Sequence, residues 1–121
     1  MAIKPSGEMY LETIYVLSRE LTHVRSIDVA ERMNFSKPSV SRAVSHLKND
    51  GYLTVDANGH LTLTDSGRAI AQKIYERHTL LSQVLMRLGV PKDIALEDAC
   101  QIEHVISDAT FAALKQHSKS R

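Results

Sequence analysis

A single cysteine, Cys100, in 121 residues rules out an internal disulfide, so the fold does not depend on an oxidising compartment. No apolar run is long enough to span a bilayer. The first residues, Met1-Ala2-Ile3-Lys4-Pro5-Ser6, lack the apolar core of a secretory signal. These absences point to a cytoplasmic address and to no membrane partner. Internal repeats and low-complexity segments are also missing, apart from a short polar tail at Gln116–Arg121, and no bias of composition suggests disorder. Nor is there an excess of one charge. Fifteen Lys and Arg against fourteen Asp and Glu leave a formal net charge of +1, which neither supports nor excludes a nucleic-acid partner. What remains is 43% apolar residues, enough for a compact core, in a length that suits one or two small domains. Small domains bury little surface, so the two halves are expected to lean on each other or on a second chain.

The pattern from Pro5 predicts a helix with Ser6 as its N-cap, Glu8 in the favourable first turn and an apolar stripe at Leu11, Ile14, Tyr15, Leu17 and Leu21. The segment Ser26–Asn49 is more specific. Ser26 reads as the cap of a short helix, Ile27–Met33, which Asn34 ends, since asparagine tolerates the left-handed backbone of a tight turn. Ser36 is the next N-cap, and Pro38 sits in a first turn where its missing N–H costs nothing. The second helix, about Lys37–Asn49, is expected to bury Val40, Ala43, Val44 and Leu47. Small Ala30, turn residue Asn34 and β-branched Val40 have the spacing of a helix-turn-helix.

From Ser36 to Asn49 there are three basic residues and no acidic one. The outward positions are Ser39, Ser41, Arg42, Ser45, His46 and Lys48, preceded by Ser36, Lys37 and Pro38. Hydroxyls and Arg at a helix N-terminus suit both phosphate contact and base-edge contact in a major groove. The same face also reads as a solvated Ser-rich surface; turn chemistry and charge together favour DNA. Asp50-Gly51 ends this helix. Asn58-Gly59 between the β-rich runs Tyr52–Val55 and Leu61–Thr64 signals a hairpin. That makes a winged helix-turn-helix, with Asn58 and His60 at the wing tip as either DNA-backbone contacts or plain hairpin residues.

Thr64 or Asp65 is expected to cap a long helix, about Ser66–Leu88, with an apolar stripe at Ile70, Ile74, Leu81, Leu85 and Leu88 and with His78 in line. Gly89 is its C′ residue. A helix over about Pro91–Ile106, with no breaker and with Ile94, Leu96, Ile102, Val105 and Ile106 on several faces, predicts contact with a second subunit. Ser107-Asp108 restarts a last helix, with Phe111 and Leu114 inward. On a continuous helix Cys100, Glu103 and His104 stand at i, i+3 and i+4 and share a face. Thiolate, carboxylate and imidazole are common metal ligands, although a small buried Cys beside a solvated Glu-His pair gives the same pattern. Met9, Glu12 and His78 read just as well as a packing Met, a solvated Glu and a hydrogen-bonded core His.

The segments Gly7-Glu8-Met9-Tyr10-Leu11, Ser36–Arg42, the Asn58-Gly59 wing, Arg77-His78 and Asp98-Ala99-Cys100-Gln101-Ile102-Glu103-His104-Val105-Ile106-Ser107-Asp108 resemble, in order and over nearly the whole chain, the diphtheria-toxin-repressor family of metal-activated regulators, which includes the manganese transport regulators. The resemblance implies a mainly α fold with a small β-hairpin wing: a winged helix-turn-helix DNA-binding domain over 1–64 and an all-helical metal-binding and dimerisation domain over 65–121. It implies a homodimer that binds a palindromic operator once Fe(II) or Mn(II) is bound, and that usually represses metal-uptake genes; it implies no enzyme. Ligands of the iron-responsive branch match Met9, Cys100, Glu103 and His104. The manganese branch has carboxylates where Met9 and Cys100 stand, and adds residues that match Glu12 and His78. The chain thus mixes both patterns, and any second ion is expected at Glu12, His78 and shared Glu103. Sulfur donors tilt the expectation to Fe(II), with Mn(II) second and with Zn, Co or Ni able to bind in vitro. Two departures stand out. Ser82 and Leu96 occupy two ligand positions of the iron branch's ancillary site, so that site is not expected. The sequence also stops before the SH3-like domain of the larger members.

Two readings from other classes compete. A redox- or ligand-sensing winged-helix regulator would use an exposed, acidic Cys100 thiol and no metal. A zinc- or iron-dependent enzyme would need a general base or nucleophile constellation, which the sequence does not offer apart from the candidate ligands.

Overall fold

The computed structural model describes residues 3–119. Among these residues the elements are α1 (Pro5–Glu20), α2 (Ser26–Met33), α3 (Lys37–Asn49), β1 (Leu53–Val55), β2 (Leu61–Leu63), α4 (Asp65–Arg87), α5 (Lys92–Ile102) and α6 (Asp108–Lys119). The chain divides into two compact units, Met1–Gln72 and Lys73–Arg121, with the division inside α4. No helix is long and apolar enough to cross a membrane.

Pro5 occupies the first turn of α1, where its fixed φ suits helix entry. The cap position belongs to Lys4, and Ser6, expected as the cap, already lies inside the helix. Ser26 is displaced in the same way. Arg25 holds the cap position of α2, and the Asp28 carboxylate accepts the Arg25 amide N–H at 2.9 Å. A carboxylate three residues into a helix satisfies the cap amide better than a serine one position too late.

The α2–α3 turn follows the sequence closely. Asn34 is left-handed (φ 58, ψ 44), and the amides of Asn34 and Phe35 donate to Ala30 O. Ser36 caps α3, its Oγ accepting the Ser39 amide at 3.3 Å. The core of this unit takes Leu11, Ile14 and Leu17 from α1, Val29 and Ala30 from α2, and Val40, Val44 and Leu47 from α3. Leu53, Leu61 and Leu63 of the hairpin and Ala71 of α4 complete it. Each wholly buried Leu or Ile contributes about 1.5–3 kcal/mol.

β1 and β2 pair antiparallel, with Leu53 opposite Leu63 and Val55 opposite Leu61. Gly59, not Asn58, takes the positive φ at the tip (+80). Asp56 organises the turn: its Oδ1 accepts the amides of Asn58 and His60, both at 2.9 Å. These amides, above all that of His60, hold the Asp56 carboxyl below the ordinary carboxylate range. The hairpin is tied to the α1–α2 connection by the Leu61 amide, which donates to Val24 O at 2.7 Å. Thr64 caps α4 through its Oγ1, which accepts the Gly67 amide. Gly67 is buried against the carbonyl of Tyr52.

In the second unit α4 ends at Gly89 (φ +100), where Val90 N–H reaches back to Leu85 O. Leu88, placed on the apolar stripe by periodicity, is 73% exposed. The helix expected over Pro91–Ile106 is shorter than that: α5 stops at Ile102, and the chain turns through Glu103-His104-Val105. The amides of Val105 and Ile106 both donate to Ile102 O, which closes the turn. Ser107 then caps α6 by accepting the Thr110 amide at 3.1 Å. Ile74, Leu81, Ala95, Ala99 and Phe111 are buried, whereas Val105 is 77% and Ile94 48% exposed. Of the polar tail expected at the C-terminus, α6 carries the residues up to Lys119; Ser120 and Arg121 lie outside the described residues.

Candidate metal centre and nucleic-acid interface

The outward face of α3 is the one expected. Ser36, Lys37, Pro38, Ser41, Arg42, His46 and Lys48 are exposed, and Ser39 is half-buried. Two hydrogen bonds order its N-terminal end: Ser36 Oγ to Ser39 Oγ at 2.8 Å, and Arg42 Nη2 to the same Ser39 oxygen at 3.5 Å. The Arg42 guanidinium is thus poised on the first turns of the helix, where side chains reach base edges. No acidic residue interrupts the face.

At the wing tip the structure favours the hairpin reading for His60. His60 does not point outward. Its ring stacks on His23 at 4.1 Å with 3° between planes, its Nδ1 lies 3.1 Å from Asp56 Oδ2, and Arg25 Nη2 donates to its Nε2 at 3.3 Å. An imidazole held on both nitrogens and one ring face is a structural part of the hairpin. Asn58 is the exposed side chain that the tip offers. Arg25, exposed beside the wing, is a cation that periodicity did not single out.

The candidate metal ligands fall into two sets. Met9 and Glu12 are half-buried on α1 of the first unit. In the second unit His78 lies on α4, Cys100 on α5, Glu103 at the C-cap of α5 and His104 in the turn that follows. The early end of α5 corrects the picture of Cys100, Glu103 and His104 on one continuous helix face, because the last two stand on a turn. The structure brings Glu103 and His78 together: the Nδ1–H of His78 donates to Glu103 Oε1 at 2.9 Å.

Glu103 is completely buried, and its second oxygen, Oε2, has no hydrogen-bond partner among the described residues. A buried carboxylate with an unsatisfied oxygen costs several kcal/mol unless a cation or donor reaches it. An imidazole with a carboxylate suits a divalent transition metal, so the residues present fit such an ion. Cys100 is half-buried. Ser82 is buried and donates its hydroxyl to His78 O at 2.7 Å, and Leu96 is 37% exposed.

Arg77, beside His78, was legible only as part of a motif. Its guanidinium donates to Glu103 O at 3.2 Å and Ile106 O at 2.7 Å and pairs with Asp108. Asp108 also meets Lys73 at 3.0 Å. The Lys73 ammonium first, then Arg77, holds the Asp108 carboxyl below the usual carboxylate range. A cation inserted next to a His on an apolar stripe was the available signal.

Comparison with known proteins accounts for both units. Residues 3–61 match the iron dependent repressor N-terminal DNA binding domain, and residues 64–120 match the iron dependent repressor metal binding and dimerisation domain. The chain is 40% identical over 102 residues to the iron-dependent repressor IdeR of Mycobacterium tuberculosis, covering 84% of this chain and 44% of that protein. It is 39% identical over 103 residues to the transcriptional regulator MntR of Geobacillus kaustophilus, covering 85% of this chain and 73% of that one. The solved structure of the manganese regulator SloR superposes with a TM-score of 0.84 at 30% identity, over 100% of this chain and 56% of that one. The chain thus spans under half the length of the IdeR proteins it matches. With a winged helix-turn-helix in the first unit, a buried carboxylate-imidazole pair in the second and both domain matches in register, the chain belongs to the iron-dependent repressor family of metal-dependent DNA-binding regulators.

Proposed function

We propose that this chain is a cytoplasmic transcriptional repressor that binds a palindromic operator as a homodimer once a divalent metal is bound. The observation that carries the reading is Glu103, a completely buried carboxylate joined by His78 and with an unsatisfied oxygen. The proposed ligands, carried over from the resemblance, are Met9, Glu12, His78, Cys100, Glu103 and His104, of which the second unit itself joins His78 and Glu103. A bound ion would supply positive charge to the Glu103 carboxylate, which burial leaves with an unsatisfied oxygen. A metal-bound dimer would set the spacing of two recognition helices, and half-sites one DNA turn apart require that spacing to be right. Fe(II) is the first choice because of the sulfur donors of Met9 and Cys100, and Mn(II) the second because of Glu12 and His78. The iron-dependent repressor IdeR and the manganese regulator SloR, so described by name, bracket this choice. The exposed Leu88, Ile94 and Val105 of the second unit supply apolar surface for the second copy. The assignment of residues 1–64 to DNA and 65–121 to metal and dimer is part of the same proposal.

The deciding experiment is an operator gel shift with and without chelator. A coupling of about 3 kcal/mol makes affinity fall ~150-fold on chelation. Affinity that chelation leaves unchanged would remove the metal from the reading.

Within α3 the proposal assigns Arg42 to a base edge and Lys37 to phosphate. Arg42→Ala is expected to cost about 1–3 kcal/mol and to relax preference at one position of each half-site. Lys37→Ala should weaken all sequences alike and flatten the salt dependence. Titrations on operator and random DNA across a salt series separate the two. Identical behaviour of both variants would show the roles to be misassigned.

A further inference from the structure

We infer that Arg77 is a positioning residue for the metal centre: its guanidinium holds the turn that carries Glu103 and His104. This rests on the proposed metal reading. Consecutive residues of α4 grip Glu103 in two ways. His78 takes the side chain at Oε1, and Arg77 takes the main chain at the carbonyl oxygen. The same Nη1 also reaches Ile106 O at 2.7 Å, so one nitrogen spans the turn from its first residue to its last. Asp108, at the start of α6, engages Nη2 and is itself held by Lys73. The Phe111 ring lies under the guanidinium at 5.5 Å.

This arrangement accounts for the end of α5. No proline, glycine or asparagine stands at 103–106, and helix geometry alone would continue. The carbonyls that a helix would use internally are instead drawn to Arg77. The guanidinium is 6% exposed, and its Nε has no hydrogen-bond partner among the described residues. A buried cation with an unsatisfied N–H is a poor device for stability alone. It is a good device for fixing backbone, because a planar fork cannot bend as a lysine can. Glu103 and His104 are thereby presented in one orientation before any ion arrives.

The test compares wild type, Arg77→Lys and Asp108→Asn as full-length apoproteins. Co(II) is titrated and followed by its visible absorption, and amide hydrogen exchange is measured without metal. Arg77→Lys keeps the charge and loses the fork; its Co(II) affinity is expected to fall 10–100-fold, the usual range for residues that orient a ligand. Asp108→Asn, at an exposed carboxylate, should lose less. Exchange in apo Arg77→Lys should rise at residues 103–106 and stay unchanged in the rest of α4 and α6. Wild-type cobalt affinity in Arg77→Lys would overturn the inference and leave the metal reading intact. Exchange raised uniformly through the second unit would also overturn it, since Arg77 would then be holding the fold and not the turn. If the wild type takes up no cobalt, the metal reading falls first and the inference with it.

Discussion

Gly67→Ala is expected to cost about 3 kcal/mol or more and to leave the DNA-binding unit largely unfolded at moderate urea. In the interior of most helices this change is favourable, by roughly 0.5–1 kcal/mol. Here a Cβ would stand 1.9 Å from Tyr52 O and 2.9 Å from Tyr52 C. Both obstacles are backbone, so no rotamer change relieves them. Either α4 backs away from the start of the wing or the wing leaves the core, and both routes expose part of the cluster that includes Leu53, Leu63 and Ala71. Native stabilities run to only about 5–15 kcal/mol, so a loss of this size is a large share of what a unit this small can have. Gly59→Ala is the control. Its added Cβ meets nothing within 4 Å, but its φ of +80 carries backbone strain, for a cost of about 1–2 kcal/mol. Urea midpoints followed by far-UV dichroism should fall in the order wild type, Gly59→Ala, Gly67→Ala. Equal midpoints for the two variants would mean that the approach of α4 to Tyr52 relaxes freely.

Glu103→Gln should abolish stabilisation by metal while sparing, or even raising, the stability of the metal-free protein. The two effects differ in sign for one reason. Without an ion, the Glu103 carboxylate is buried with one oxygen unsatisfied, which burdens the folded state. An amide removes the charge and keeps the shape. On the proposed reading that carboxylate would be a ligand when an ion is bound, and an amide would not replace it at equal strength. At free metal about 100 times the dissociation constant, binding adds roughly 2.7 kcal/mol to wild type. Thermal melts with Co(II) or Mn(II) present and absent therefore give a large shift for wild type and almost none for Glu103→Gln. A variant that keeps the wild-type shift would remove Glu103 from the ligand set.

What could be seen in advance follows the range of the interactions. Asn34, Ser36 and Pro38 act within a few residues, and each does what its chemistry suggests. Gly59 and Gly89 are equally local. Two caps were displaced because neighbours competed: Pro5 set the first helix ahead of Ser6, and Asp28 satisfied Arg25 ahead of Ser26. The end of α5 was hidden for a different reason. It depends on Arg77, 26 positions before Glu103, and no window of local pattern contains both. The same distance hid the function of Arg77, which reads as one charge on an apolar stripe. Which of the two readings of His60 holds could not be decided from local pattern, because its stacking partner, His23, lies in the distant connection between α1 and α2. The exposure of the α3 face was legible because it follows from the spacing of apolar and polar residues alone.

The bond from Leu61 N–H to Val24 O also says something about how the protein folds. A hairpin of two three-residue strands is too short to persist in water by itself. This one borrows its third hydrogen-bonding edge from a segment on the far side of α2 and α3, so it forms only after a long loop of chain has closed. The wing is therefore a late, non-local event for its size, not an early nucleus. Denatured protein should regain helical signal before the wing amides become protected against exchange. Once formed, the wing is lost only with the helices, so the DNA-binding unit melts in a single step.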